Sequence, residues 1–243
     1  MARTAISAHR VGTRDEVPET YDAYRTAAAS GADFVEIDIR RTRDGVLVAY
    51  HDERCGPHGP AVAELTYGEL CEHVGSPVPR AADAMWVLAG KVAGHLDLKE
   101  AGYESQVVEV ALEAFGADGF VVTTLEDASI ARIRREFPDV RTALSLGRDL
   151  DGLPPHRRVA ARLSEMFPVR RLQACGAHWA ALDYRLVYAG VLRQCAAHDV
   201  GTMLWTVDRD DLIKRFLKDP RVDVLITNRP AHARVLRDAL EEK

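Results

Sequence analysis

Cysteine is scarce in this chain. Four are present among 243 residues, Cys55, Cys71, Cys175 and Cys195, and no two stand as Cys-x-x-Cys. That excludes a disulfide framework and a cysteine-built zinc site, and the thiols are expected to be free in a reducing compartment. No apolar run approaches the roughly 20 residues of a membrane helix, so no integral membrane association is expected. Met1 to Thr4 lead straight into a short apolar strand with no stretch of signal-peptide length, and the expected location is cytoplasmic. Basic charge is also short: 32 Lys and Arg face 37 Asp and Glu, a net charge of -5. Binding to a phosphate backbone needs a cationic surface that displaces counterions, so nucleic acid is not an expected partner. No internal repeat or linker divides the chain.

What is present is ordinary for a globular protein, 47% hydrophobic and 28% charged residues. Short apolar runs at 4–9, 34–40, 92–99, 119–124, 140–146, 179–183, 202–207 and 223–227 read as strands. Amphipathic segments at 18–29, 81–88, 104–115, 128–137, 159–166, 186–198 and 208–217, and another from Pro230 onward, read as helices. Pro18-Glu19 suits a helix start, with the acid complementing the dipole, and Asp208 reads as a helix cap. A further extended run at 46–50 follows an Arg43-Asp44-Gly45 turn. Residues 53–78 exceed a usual strand-to-helix connection and are expected to pack over the rim. Alternation of this kind predicts an α/β fold, a single (β/α)8 TIM barrel over residues 1–243 with a small insertion after strand 2.

In such a barrel the functional groups come from the C-terminal ends of several strands. His9, Arg10, Glu36, Asp38, Asp97, Lys99, Trp205 and Thr227 lie at or near such ends. Strand side chains alternate between faces, so Glu36 and Asp38 point one way while Val35, Ile37 and Ile39 point the other. Two acids on one otherwise apolar strand need a cation. Arg10, Arg40 or Lys99 could supply it as a structural ion network. Alternatively, Asp97 makes a third carboxylate, and three carboxylates with water suit a hard ion, Mg2+ or Ca2+. Arg10 and Lys99 would then clamp a phosphate. His9 and His51 offer the acid and base that breaking a phosphodiester requires, whereas His95 reads as a hydrogen-bonded scaffold residue.

These residues stand in a recognisable order. His9-Arg10, Pro18-Glu19-Thr20, Gly31-Ala-Asp-Phe-Val-Glu36-Ile-Asp38, Thr42-Arg-Asp-Gly45, Val48 with His51-Asp52, Leu98-Lys99, Trp205-Thr206-Val207 and Ile226-Thr227-Asn-Arg-Pro230 together resemble the glycerophosphodiester phosphodiesterase family. The resemblance implies a metal-dependent phosphodiesterase that acts on a small-molecule phosphodiester and releases glycerol 3-phosphate and an alcohol. It implies His9 and His51 as the acid/base pair and Glu36 and Asp38 as metal ligands. Arg10 and Lys99 match phosphate contacts, and Trp205 an aromatic on the glycerol side of the pocket. The chain departs from the family pattern at Val11, where glycine is usual, and at Glu19-Thr20, where an intervening Asn is missing. Asp97 stands for the common Glu, and Asn228 for the usual Asp. Other readings are a sphingomyelinase D-like or lysophospholipase D-like phospholipid phosphodiesterase, and a non-catalytic phosphoester-binding barrel.

Overall fold

The structure is a computed structural model that describes residues 3–12, 19–148, 150–152 and 154–241. Eight parallel strands form a closed barrel: β1 (Ala5–Ala8), β2 (Phe34–Arg41), β4 (Ala93–Leu98), β5 (Phe120–Thr124), β6 (Arg141–Leu146), β7 (Trp179–Asp183), β8 (Gly201–Trp205) and β9 (Val224–Thr227). Each pairs with the next, and β1 closes the circle by pairing with both β9 and β2. A ninth strand, β3 (Leu47–Ala49), folds back antiparallel onto β2. The (β/α)8 barrel expected from the alternation is the observed fold.

Period-two alternation sorts the strand residues into two layers. On β2, Val35, Ile37 and Ile39 are completely buried outward, against α1 (Tyr21–Ala29), α3 (Ala81–Leu88) and α4 (Glu104–Phe115). Each such side chain contributes roughly 1.5–3 kcal/mol by leaving water. The alternate residues point into the barrel. Its lower interior is filled by Val121, Ala143, Ala181, Met203, Val224 and Ile226. Above that layer the inward positions turn polar, and apolar packing gives way to a site.

The helices differ from expectation in places. In α1 the N-cap is Thr20, whose side chain accepts from Ala23 N, and Pro18 lies outside the described residues. Residues 53–78 hold a 3-10 turn and a helix, α2 (Tyr67–Val74), which begins with a capping box between Thr66 and Glu69. Val62, Leu65, Leu70 and Val78 bury against Val48 of β3 as a separate small cluster. The segment therefore sits on the β2–β3 hairpin and adds no residue to the lining of the cavity at the C-terminal end of the barrel.

After α5 (Asp127–Glu136) the expected helix at 159–166 begins earlier, as α6 (Pro155–Met166), and is followed by an additional α7 (Val169–Cys175). The helix expected over 186–198 is split at Gly190, where φ of +80° ends a 3-10 turn and α8 (Val191–Ala196) begins. Then come α9 (Asp210–Leu217) and α10 (Pro230–Glu241). Asp208 does not cap α9. It accepts instead from Thr227 Oγ1, Asn228 N and Asn228 Nδ2, tying down the end of β9. No helix among the described residues is long and apolar enough to cross a membrane.

Candidate active site

The strand register decides which acids meet. On neighbouring β2 and β4, Glu36 is level with His95 and Asp38 with Asp97, all on the inward face. One carboxylate oxygen each from Glu36, Asp38 and Asp97 lies within 4.8 Å of the others. Oxygen ligands on opposite sides of a Ca2+ ion stand up to about 5 Å apart, and those of the smaller Mg2+ about 4.2 Å, so the three oxygens are close enough to share one hard cation of the Ca2+ size. Asp38 is 1% exposed, and neither of its oxygens receives a well-directed hydrogen bond. A buried carboxylate whose oxygens lack well-directed donors, beside two more acids, fits a hard cation.

The protein's own cations also reach this cluster. Lys99 Nζ lies 2.7 Å from Asp38 Oδ1 and 2.5 Å from Asp97 Oδ2, and Arg10 Nε lies 3.9 Å from Asp38 Oδ2. Arg40 turns away to pair with Glu100. Burial alone would disfavour the charge on Asp38, but Lys99 and then His51 and His9 outweigh it and hold its carboxyl below the ordinary range. Burial likewise opposes the Lys99 charge, yet Asp38, Asp97 and Glu36 together push its pKa up. Part of the ion network expected as an alternative is therefore present, within the acid cluster itself.

Asp97 is aimed by a relay across the barrel. Thr123 Oγ1 lies 2.6 Å from Asp97 Oδ1 and donates to it, so it accepts from His95 Nε2 at 3.0 Å. His95 Nδ1 then accepts from Ser7 Oγ, also at 3.0 Å. His95 is 1% exposed and holds the scaffold position expected of it.

The two other histidines stand at the rim with their Nδ1 atoms anchored. Asn228 Nδ2 donates to Asp208 Oδ2 at 2.8 Å, leaving Asn228 Oδ1 to accept from His9 Nδ1 at 2.7 Å. His9 Nε2 then faces Glu36 Oε2 at 3.8 Å. His51 sits just past β3, anchored where Tyr50 N donates to Asp38 O at 2.8 Å. Its Nδ1 is 2.6 Å from Asp52 Oδ1, and its Nε2 is met by Arg10 Nη2. Because a guanidinium only donates, His51 Nε2 accepts and Nδ1 carries the proton. Burial, then Lys99, push the His51 pKa down.

The turn that carries Arg10 is strained. Arg10 and Val11 have φ of +42° and +55°, a region costly for a β-branched residue and free for the glycine usual in the resembled family. Val11 is nonetheless buried, and the turn aims Arg10 N at Glu36 Oε2, 3.0 Å away.

Some site residues escaped the sequence reading. Glu19 serves no dipole at the surface: it is half-buried, accepts from Tyr24 Oη, and the desolvation of its carboxyl followed by the charge of Asp38 drives its pKa well above normal. Its place in Pro18-Glu19-Thr20 was the available signal. Asn228 and Asp208, which orient His9, were visible only as a departure and as a cap.

A cavity of about 360 Å3 opens above the acids. Its lining includes His9, Glu36, His51, Asp97, Lys99 and Trp205. Across from the acids, Trp205 Nε1 donates to Ala181 O at 3.1 Å, which sets the indole as a wall. Gly147 leaves it room, since a Cβ there would lie 3.3 Å from the ring and 2.5 Å from Asp183 Cβ.

Known proteins resemble this chain in sequence and in fold. The model of the glycerophosphoryl diester phosphodiesterase family matches residues 9–129. A glycerophosphodiester phosphodiesterase of Caldanaerobacter subterraneus subsp. tengcongensis is 23% identical, with 94% of this chain and 95% of that protein aligned. A glycerophosphodiester phosphodiesterase of Parabacteroides distasonis superposes with a TM-score of 0.76 at 19% identity, over 98% of each chain. A phosphodiesterase of Oleispira antarctica, solved with its product sn-glycerol-3-phosphate, superposes with a TM-score of 0.74 at 14% identity over 97% of each. The barrel, its site and these relatives define the class: an enzyme of the phosphoric diester hydrolases. Within that class, the chain belongs to the glycerophosphodiester phosphodiesterase family.

Proposed function

We propose that the protein hydrolyses glycerophosphodiesters to glycerol 3-phosphate and an alcohol, with His9 and His51 sharing the proton transfers and a divalent cation assisting. One observation carries this reading: both imidazoles are anchored through Nδ1 and turn Nε2 toward one acid-lined cavity. Simple binding of a phosphoester would need no such pair. Glu36, Asp38 and Asp97 would hold Mg2+ or Ca2+, which when bound supplies positive charge to polarise a phosphoryl oxygen.

The chain's own groups do the rest. Lys99 and Arg10 bring positive charge to the phosphate, and its arrival draws Arg10 from His51 Nε2, freeing that lone pair. His51 takes the proton of the attacking oxygen. His9, whose Nε2 faces the Glu36 carboxylate, gives a proton to the leaving alcohol. Trp205 packs on the glycerol. The test is hydrolysis of glycerophosphocholine with Mg2+ or Ca2+, before and after EDTA. No turnover of any glycerophosphodiester with either ion would leave only a binding function.

The acid side of the pH profile is expected to be displaced. A base must be unprotonated, so the rate falls as pH drops through the His51 pKa. Burial and Lys99 set that pKa below its ordinary 6.5. The acid inflection of kcat/KM should therefore lie below pH 6.5, and an inflection at or above that value contradicts the assignment. Replacing Asn228 with alanine removes the His9 anchor without touching the imidazole. It should lower kcat/KM about 10- to 100-fold with little change in KM, as misorientation of a reacting group does. Steady-state kinetics check this, and an unchanged kcat would show that His9 is held in place otherwise.

A further inference from the structure

Helix α6 has the pattern of a helix that should be buried and is not. Of its twelve residues, the one whose side chain is described as buried is Glu165. Val159, Leu163 and Phe167 recur every fourth residue and share one face, yet they are 60%, 51% and 63% exposed. A surface helix ordinarily turns such a stripe to the core. Here the Glu165 side faces the barrel, so the apolar stripe faces outward.

The polar residues around the stripe are cationic. Arg157, Arg158 and Arg162 are exposed, while Glu165, the acid of the helix, is 1% exposed. Glu165 accepts from Gly147 N, Arg148 N and Arg162 Nη1 at 2.9, 3.0 and 2.8 Å. Asp151 lies in the turn before the helix. It lines one surface depression with Arg158, Val159, Arg162 and Leu163, so the outer face is apolar and carries three arginines against that one described acid, in a chain whose net charge is -5.

Position gives this face its meaning. Gly147 and Arg148, the backbone partners of Glu165, line the catalytic cavity, so α6 is fastened to the mouth of the site. Leu125 lines the same cavity, is 36% exposed, and its carbonyl accepts from Arg148 Nη2 at 2.8 Å.

We infer that α6 docks on an anionic lipid surface. Val159, Leu163 and Phe167 enter the boundary between headgroups and acyl chains while the arginines meet lipid phosphates, and the pocket mouth opens beside the interface. An apolar stripe flanked by arginines on a short surface helix is the pattern such surfaces take. A second copy of the chain fits poorly, because a two-fold contact through this face sets arginines against arginines. An amphiphilic diester, such as a lysophospholipid, would then reach the site from the membrane. That consequence rests on the phosphodiesterase reading, whereas the docking itself does not.

Flotation of the full chain with phosphatidylglycerol-containing vesicles, and with pure phosphatidylcholine vesicles, tests the inference. Binding to the anionic vesicles is expected, with loss at high salt and on pure phosphatidylcholine. Leu163→Asp with Phe167→Asp should weaken it at least about tenfold, because two inserted apolar side chains are lost. Arg157→Glu should weaken it too, and neither variant should alter hydrolysis of water-soluble glycerophosphocholine. Absence of binding by the wild-type chain, or equal binding by the double variant, overturns the inference. A dimer that the double variant dissolves overturns it as well, assigning the face to a second copy. Vesicle binding without hydrolysis of any diester would leave the docking intact and remove the phosphodiesterase reading.

Discussion

Alanine at His51 or at His9 is expected to lower kcat/KM on glycerophosphocholine by about 10^2- to 10^4-fold, the range that one general acid or base supplies. The two losses should differ in kind. His51 accepts at Nε2 from Arg10 and has its pKa pushed down, so it is assigned the base. His9 presents Nε2 to Glu36 at 3.8 Å and is assigned the acid. A glycerophosphodiester with a 4-nitrophenyl leaving group needs no proton to depart. His9→Ala should regain most of its rate on that substrate, and His51→Ala should not. Equal rescue of both variants would reverse or abolish the division of roles, and full activity in either would remove that histidine from the mechanism. Both side chains are at the rim, so thermal unfolding should show the variants folded.

Asp38→Asn should remove metal-stimulated activity by at least about 10^2-fold, because it neutralises the most buried acid of the cluster. Stability should change less than for a fully broken buried pair. Losing a partner there costs about 3–5 kcal/mol, but Lys99 keeps Asp97 at 2.5 Å. Urea unfolding should therefore register a smaller loss, while titration with Mg2+ or Ca2+ no longer raises the rate. EDTA should bring the wild-type enzyme to the same low activity. Wild-type turnover that survives exhaustive chelation would overturn the cation's role and leave Lys99 and Arg10 as the charges on phosphate.

Much of this was legible along the chain because the barrel's rules are local. On β2, alternation alone separated Glu36 and Asp38 from Val35, Ile37 and Ile39, and the structure divides them in the same way. Asp97 and Lys99 followed from the same periodicity one strand later. What periodicity cannot reveal is a partner supplied by closure. Asn228 meets His9 across 219 positions of sequence, and Ser7 meets His95 across 88, because β1 lies between β9 and β2. Glu19 looked like a residue for a helix dipole, since local pattern cannot tell which way a side chain turns before the first helical turn. Gly190 was hidden inside an apolar stretch long enough for one helix, and only its positive φ divides that stretch. For α6, amphipathicity announced a helix but not that its apolar side would be left uncovered.

The return of β3 along β2 separates two tasks in this protein. His51 is held by a ladder in which Tyr50 donates to Asp38 O, while the segment beyond it folds around its own small cluster and lines none of the cavity. The exposed turn near Gly56 is consequently a natural attachment point. A fluorophore, an affinity handle or a solid support could be joined there, and the catalytic machinery should keep working.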